Sequence, residues 1–321
     1  MNQLDQLKTM TTIVADTGDI EAVKKYLPTD ATTNPSLILA AASQEEYQFL
    51  IDEAIQKTLA LGLDSTQVLR CLLDQVCVNF GIEILKMIPG RISTEIDPRL
   101  SFDSQKSVQK AKEIISLYEK AGIDRSRILI KLASTWEGIQ AAAALEKEGI
   151  HCNMTLIFSL AQAIACADAK ATLISPFVGR ILDWYQTHTK KSYLPHEDPG
   201  VLSVKTIYNY YKKFHIKTEI MAASFRNCDE ITELSGCDLL TIAPKFLETL
   251  SQVESQVPRQ LSIESSQNMD IKLVKMDEAL FRWMMCEDAM ASDKLYQGIR
   301  GFTSDILKLE TLLTQKMQSA S

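Results

Sequence analysis

The sequence predicts an α/β fold, a (βα)8 TIM-type barrel with additional C-terminal helices. Short apolar, β-branched runs alternate with longer stretches of helical spacing, the pattern of parallel βαβ units. About eight such runs occur, the number that closes a barrel. They spread over about 230 residues, close to the roughly 250 of a typical barrel domain.

The strand candidates are TTIVADTG (11–18), DATTNPS (30–36), RISTEID (91–97) and RILIKLAS (127–134). HCNMTLIF (151–158), TLISPFVG (172–179), EIMAASF (219–225) and LLTIAP (239–244) follow. Between them lie helical patterns, such as SLILAAASQEEYQFLIDEAIQKTLAL (36–61) and SVQKAKEIISLYEKAG (107–122), the second with Gly122 as its C-cap. From about 245 onward no strand is expected. That tail carries amphipathic stretches such as DEALFRWMMCEDAMASDKLYQGIRGF (277–302), read as helices packed on the barrel. A doubly wound open sheet uses the same alternation, but Gly18 stands alone where such a sheet carries G-x-G-x-x-G. No linker or repeat marks a boundary, so one domain over residues 1–321 is expected, with about 245–321 as its helical extension.

Composition narrows the function classes. An apolar fraction of 46% over 321 residues is enough for a large core. No run of about 18 apolar residues occurs, and MNQLDQLKTM lacks the start of a secretory signal, so a cytoplasmic protein is expected. A net charge of -7 and a pI near 5.3 argue against nucleic acid or an anionic membrane as partner. An anionic substrate then requires locally placed arginines. The 7 cysteines show no paired spacing and read as buried free thiols. The 4 histidines are scattered, so neither a metal nor any other cofactor is expected.

Many of the apolar runs end in functional side chains two residues apart, hence on one face of a strand. The pairs are Thr32 with Asn34, Ser93 with Glu95, Asn153 with Thr155, Ser175 with Phe177, and Ser224 with Arg226. Lys131 shares its face with Leu129 and Ala133, and Asp16 with Val14. Any one pair reads equally well as the start of a loop. Their recurrence on separate strands points to the C-terminal mouth of a barrel, where active sites are built. Lys131, flanked by aliphatic residues, reads either as a snorkelling lysine or as an amine nucleophile activated by desolvation.

ATTNPSLIL (31–39) and ILIKLASTWEGIQAA (128–142) resemble the two signature segments of transaldolases. VADTGD, GRISTEID, CNMTLIFS, ISPFVGRILDWY, EDPG, ASFRN and EDAMASDKL resemble the classical long form of that family in order along nearly the whole chain. The resemblance implies a lysine Schiff-base enzyme on a (βα)8 barrel, with Lys131 as nucleophile, Asp16 and Glu95 as acid/base carboxylates, and Thr155 as partner of the catalytic water. It further implies that Asn34, Asn153 and Ser175 hold the hydroxyls of a dihydroxyacetone unit, with Thr32 and Ser93 beside them. Arg180, Ser224 and Arg226 would grip a phosphate, and a homodimer through the C-terminal helices would follow. Arg180 also reads as helix-start packing beside Asp183.

Phe177, where related shorter aldolases resemble tyrosine-bearing versions, favours transfer over release of free dihydroxyacetone. It is equally compatible with plain barrel core. Trp136, Trp184 and Trp283 are expected to be buried packing residues. Three departures from the family pattern stand out: Ala222 for a common glycine, expected to add an inward methyl near the phosphate side, Pro98 after Asp97, and Cys286 for an asparagine.

Overall fold

The computed structural model describes residues 1–320. The eight strands are β1 (Thr12–Asp16), β2 (Asp30–Thr32), β3 (Ile92–Glu95), β4 (Ile128–Ala133), β5 (Cys152–Ile157), β6 (Leu173–Pro176), β7 (Glu219–Ala222) and β8 (Leu239–Ile242). Each pairs in parallel with its sequence neighbour, and β1 pairs with β8, closing the barrel. Every strand candidate read from the sequence contributes one strand, shorter than the run that announced it.

Helices α1 (Gln3–Lys8), α2 (Ile20–Tyr26), α3 (Pro35–Ala42), α4 (Gln48–Leu59), α5 (Ser65–Leu85) and α6 (Ser104–Lys120) precede β4. Then come α7 (Trp136–Lys147), α8 (Leu160–Asp168), α9 (Gly179–Thr189), α10 (Pro199–Lys213) and α11 (Cys228–Thr232). After β8 the tail holds α12 (Pro244–Gln252), α13 (Ile263–Gln267), α14 (Glu278–Glu287) and α15 (Ala289–Ala320). The helical pattern over 36–61 is two helices, because α3 stops at Ser43 and a short 3-10 turn over Glu45–Tyr47 intervenes. Helix α6 ends on Ala121, with Gly122 beyond it at φ 81, the left-handed position that favours glycine.

Two apolar layers follow from strand alternation. The larger lies between the outer faces of the strands and the helices. The smaller, Val14, Leu129, Leu173, Met221 and Leu239, fills the barrel interior as a floor. Above that floor the inward positions turn polar.

Two expectations need correction. Ala222 does not point inward: it packs in the outer layer, while Met221 faces the interior. Ala222 shares two-residue parity with Ser224, but a φ of 61 at Ser224 breaks the extended geometry that alternation requires. Trp283 is 60% exposed, and Trp136 and Trp184 are only partly buried. Of the cysteines, Cys152, Cys166 and Cys237 are buried and Cys286 is exposed. No described helix is long and apolar enough to cross a membrane.

Candidate active site

Lys131 lies on β4 directly above Leu129, pointing into the barrel, and is 4% exposed. Its Nζ donates to the carbonyl of Thr33 at 3.1 Å and lies 3.1 Å from Glu95 Oε2. Glu95 is its register partner on β3. Glu95 Oε2 is buried and faces the Lys131 amine as its ion-pair partner. Thr155 Oγ1, on β5 beside Ala133 of β4, is buried without a partner. Buried polar atoms of this kind are uncommon and mark places where chemistry is done.

Asp16 closes β1 and accepts from Thr32 Oγ1 at 3.0 Å, and Thr32 in turn meets Thr241 Oγ1 at 2.9 Å. Burial raises the Asp16 carboxyl above its ordinary range, against the opposing pull of Lys131, the Thr32 hydrogen bond and Arg180. Burial raises Glu95 likewise, opposed by Lys131 and Arg180 and reinforced by Asp16. Both carboxyls are therefore able to hold a proton at a higher pH than an exposed acid.

Ser175 Oγ donates to Asn153 Oδ1 at 2.6 Å, and Asn153 Nδ2 donates to Ser93 Oγ at 3.0 Å. This buried relay fixes the amide orientation across β3, β5 and β6. Asn34 is the N-cap of α3 and accepts from Leu37 N at 3.0 Å, which leaves its amide nitrogen to meet a ligand.

One pocket at the mouth is lined by Asp16, Thr32, Asn34, Lys131, Ser175, Phe177, Arg180 and Ser224. Ser93, Glu95, Asn153 and Thr155 stand behind that lining. Met221, Ala223, Thr241 and Phe302 also line it and were not singled out in the sequence. Thr241 carries a legible signal, since it shares a strand face with Leu239. Phe302 carries none, because α15 reaches the pocket only through tertiary packing.

At the far side Arg180, in the first turn of α9, lies over the rings of Phe177 and Phe302 at 4.9 and 5.3 Å. Burial lowers its pKa, and the charge of Arg226 adds to the effect. Asp183, the packing partner considered for Arg180, instead pairs with Arg226, accepting from its Nη2 at 2.8 Å and its Nε at 3.1 and 3.2 Å. Gly298 of α15 makes the close approach possible. A Cβ there would sit 2.6 Å from Leu156 Cδ2 and 3.4 Å from Arg180 Nη1.

Eight parallel strands, a buried lysine beside a carboxylate and the Arg180 guanidinium at one mouth, with Arg226 turned to Asp183 behind it, define a barrel enzyme of the amine-nucleophile class, suited to a phosphorylated carbonyl substrate. Comparison with known proteins narrows the class. The family described as transaldolase/fructose-6-phosphate aldolase matches residues 13–313. A transaldolase of Rattus norvegicus is 58% identical over 319 residues, covering 99% of this chain and 95% of that protein. That of Methylococcus capsulatus is 55% identical over 320 residues, covering 98% and 97%. That of Protochlamydia amoebophila is 58% identical over 313 residues, covering 97% of each. The chain belongs to the transaldolase family.

Proposed function

We propose that this chain is a transferase that moves a three-carbon dihydroxyacetone unit through an imine on Lys131. The donor is sedoheptulose 7-phosphate or fructose 6-phosphate, and the acceptor is glyceraldehyde 3-phosphate or erythrose 4-phosphate. This is the transaldolase step of the non-oxidative pentose phosphate pathway. The observation that carries the reading is the buried Lys131 Nζ at 3.1 Å from Glu95 Oε2, inside a pocket that also holds Asp16 and Arg180.

The first step needs a free amine and an acid. A proton passed from Nζ to Glu95 supplies both at once, and burial of Glu95 favours the acid form. The amine attacks the ketose carbonyl, and the resulting carbinolamine loses water with the proton from Glu95. Thr155 Oγ1, buried without a hydrogen-bond partner, and Glu95 Oε2 beside Lys131 suit that departing water. Asp16 then takes the carbon-4 hydroxyl proton. As the bond between carbons 3 and 4 breaks, its electron pair flows into the iminium, leaving an enamine and a free aldose phosphate.

The enamine carbon next attacks the acceptor aldehyde, Asp16 returns the proton to the new hydroxyl, and hydrolysis of the imine frees Lys131. Asn34, Asn153 and Ser175, with Thr32 and Ser93, orient the three-carbon unit. Arg180, Ser224 and Arg226 take the phosphate, two planar guanidinium forks suiting its oxygens. Phe177 keeps water from the enamine, so transfer outruns release.

Borohydride added with fructose 6-phosphate is expected to label Lys131 irreversibly, and Lys131→Ala to abolish both labelling and turnover. Mass spectrometry finding the adduct on another lysine would overturn the assignment. Product formed equally well without erythrose 4-phosphate would make the chain a fructose-6-phosphate aldolase instead. We propose further that residues 1–321 form one domain of a cytoplasmic homodimer, needing no metal or other cofactor. Exposed Phe102, Trp283, Tyr296 and Leu307, on or near the C-terminal helices, support the pairing, and sedimentation equilibrium tests it.

A further inference from the structure

The loop after β7 carries Ser224 and Arg226, and its backbone is held in an unfavourable shape. Ser224 has a φ of 61, a left-handed conformation that a non-glycine residue holds only where its surroundings impose it. On one side the loop is stapled to the end of β6: Val178 N donates to Ala223 O and Gly179 N to Ser224 O, each at 2.9 Å. On the other side the N–H of Arg226 donates to Glu230 Oε2 at 2.6 Å.

Glu230 is 1% exposed, and its Oε1 is buried without a donor. Asp198, 4% exposed, lies at the start of α10 close enough for its charge to bear on Glu230. Two carboxyl groups buried near one another avoid repulsion when one of them keeps its proton. Asp198 Oδ1 already accepts from Gly200 N at 2.7 Å and Val201 N at 3.3 Å, which stabilises its ionised form. Glu230 accepts a single N–H, so the proton belongs on Glu230.

We propose that Glu230, buried beside Asp198 and accepting the Arg226 N–H, is the positioning residue that sets the Ser224–Arg226 backbone for phosphate binding. The role rests on the transaldolase reading and adds to it a residue that touches no substrate. Burial first, with the Asp198 charge beside it, outweighs the downward pull of the Arg226 N–H and side-chain charge and holds the Glu230 acid up at about 8. The charged groups that bear on the pair are Arg226 from the loop and Asp183 from α9. Because the folded value is raised, the favourable contribution is complete below the ordinary carboxylate range. It is lost as pH rises through about 8, where a second negative charge would face Asp198.

The test follows KM for fructose 6-phosphate with pH. In the wild type KM is expected to rise above about pH 8 while kcat changes little. Glu230→Gln keeps an acceptor for the Arg226 N–H but cannot ionise, so its KM should match the wild type at neutral pH and stay flat on the alkaline side. Glu230→Ala should raise KM roughly tenfold at every pH, the size of one lost charge-linked contact. Unphosphorylated fructose, lacking the phosphate, should register none of these changes. An alkaline rise that persists in the Gln variant, an unchanged KM in a folded Ala variant, or the same shifts with fructose would overturn the proposal. Borohydride labelling run alongside separates the two ideas: labelling at Lys131 together with any of those results removes only the positioning role. A wild type that fails to label removes the transaldolase reading as well.

Discussion

The two ends of the pocket are built differently. At the lysine end, Asp16, Glu95, Lys131 and Asn153 project from β1, β3, β4 and β5, where ladder hydrogen bonds on both sides fix the backbone. The ion pair there is buried, with side chains 5% and 4% exposed. At the arginine end, Arg180, Ser224 and Arg226 project from a helix start and a loop, and the ion pair of Arg226 with Asp183 is 41% exposed on both sides. Bond making and breaking needs atoms held to a fraction of an ångström, which strands supply. Gripping a phosphate needs reach and charge, which loops and helix starts supply.

If that division holds, substitutions at the two ends should fail in different kinetic constants. Glu95→Gln should lower kcat by roughly 10²–10⁴-fold, the range for a lost general acid, with KM little changed and slower borohydride labelling. A loss confined to KM would erase the distinction. Arg226→Ala should raise KM for phosphorylated donors by about 10- to 100-fold and leave kcat nearly intact, since a charged hydrogen bond contributes about 1.5–3 kcal/mol. An unchanged KM would take Arg226 out of the phosphate grip.

The smallest effect belongs to the helix that walls the arginine end. Gly298→Ala puts a methyl against Leu156, an overpacking cost of roughly 1–3 kcal/mol, offset by about 1 kcal/mol of helix propensity. A fall in Tm on the order of 2 °C and a KM increase smaller than that of Arg226→Ala are expected. Calorimetry together with donor titration checks both, and a larger kcat defect than KM defect would blur the boundary between the ends.

The same division explains what could be read from the sequence. Lys131, Glu95, Asp16 and Asn153 obey strand alternation, so two-residue spacing located them on one face. Asn34 and Arg226 fit that spacing by coincidence: neither lies on a strand, one being a helix cap and the other a loop residue beyond β7. Ala222 faces outward against that spacing, because alternation does not carry through a left-handed Ser224. Phe302 and Gly298 are illegible, because each matters through a neighbour far away in sequence, Arg180 and Leu156, and local pattern holds no record of such contacts. Asp183 is legible as a neighbour of Arg180 but not as the partner of Arg226, and Glu230, four residues from Arg226, lies in a helix turn whose spacing does not announce the contact.

Helix α15 crosses much of the molecule. It meets α9 through Asp293 and Trp184 at 3.0 Å, α3 through Asp305 and Ser36, and the turn after β3 through Glu310 and Arg99 at 2.6 Å. Between those contacts it inserts Phe302 against Arg180. During synthesis the ribosome therefore delivers every strand-borne reactive group well before the wall that completes their pocket. A nascent chain carries Lys131 early but lacks the Phe302 wall of the pocket until residues past 300 have emerged and docked.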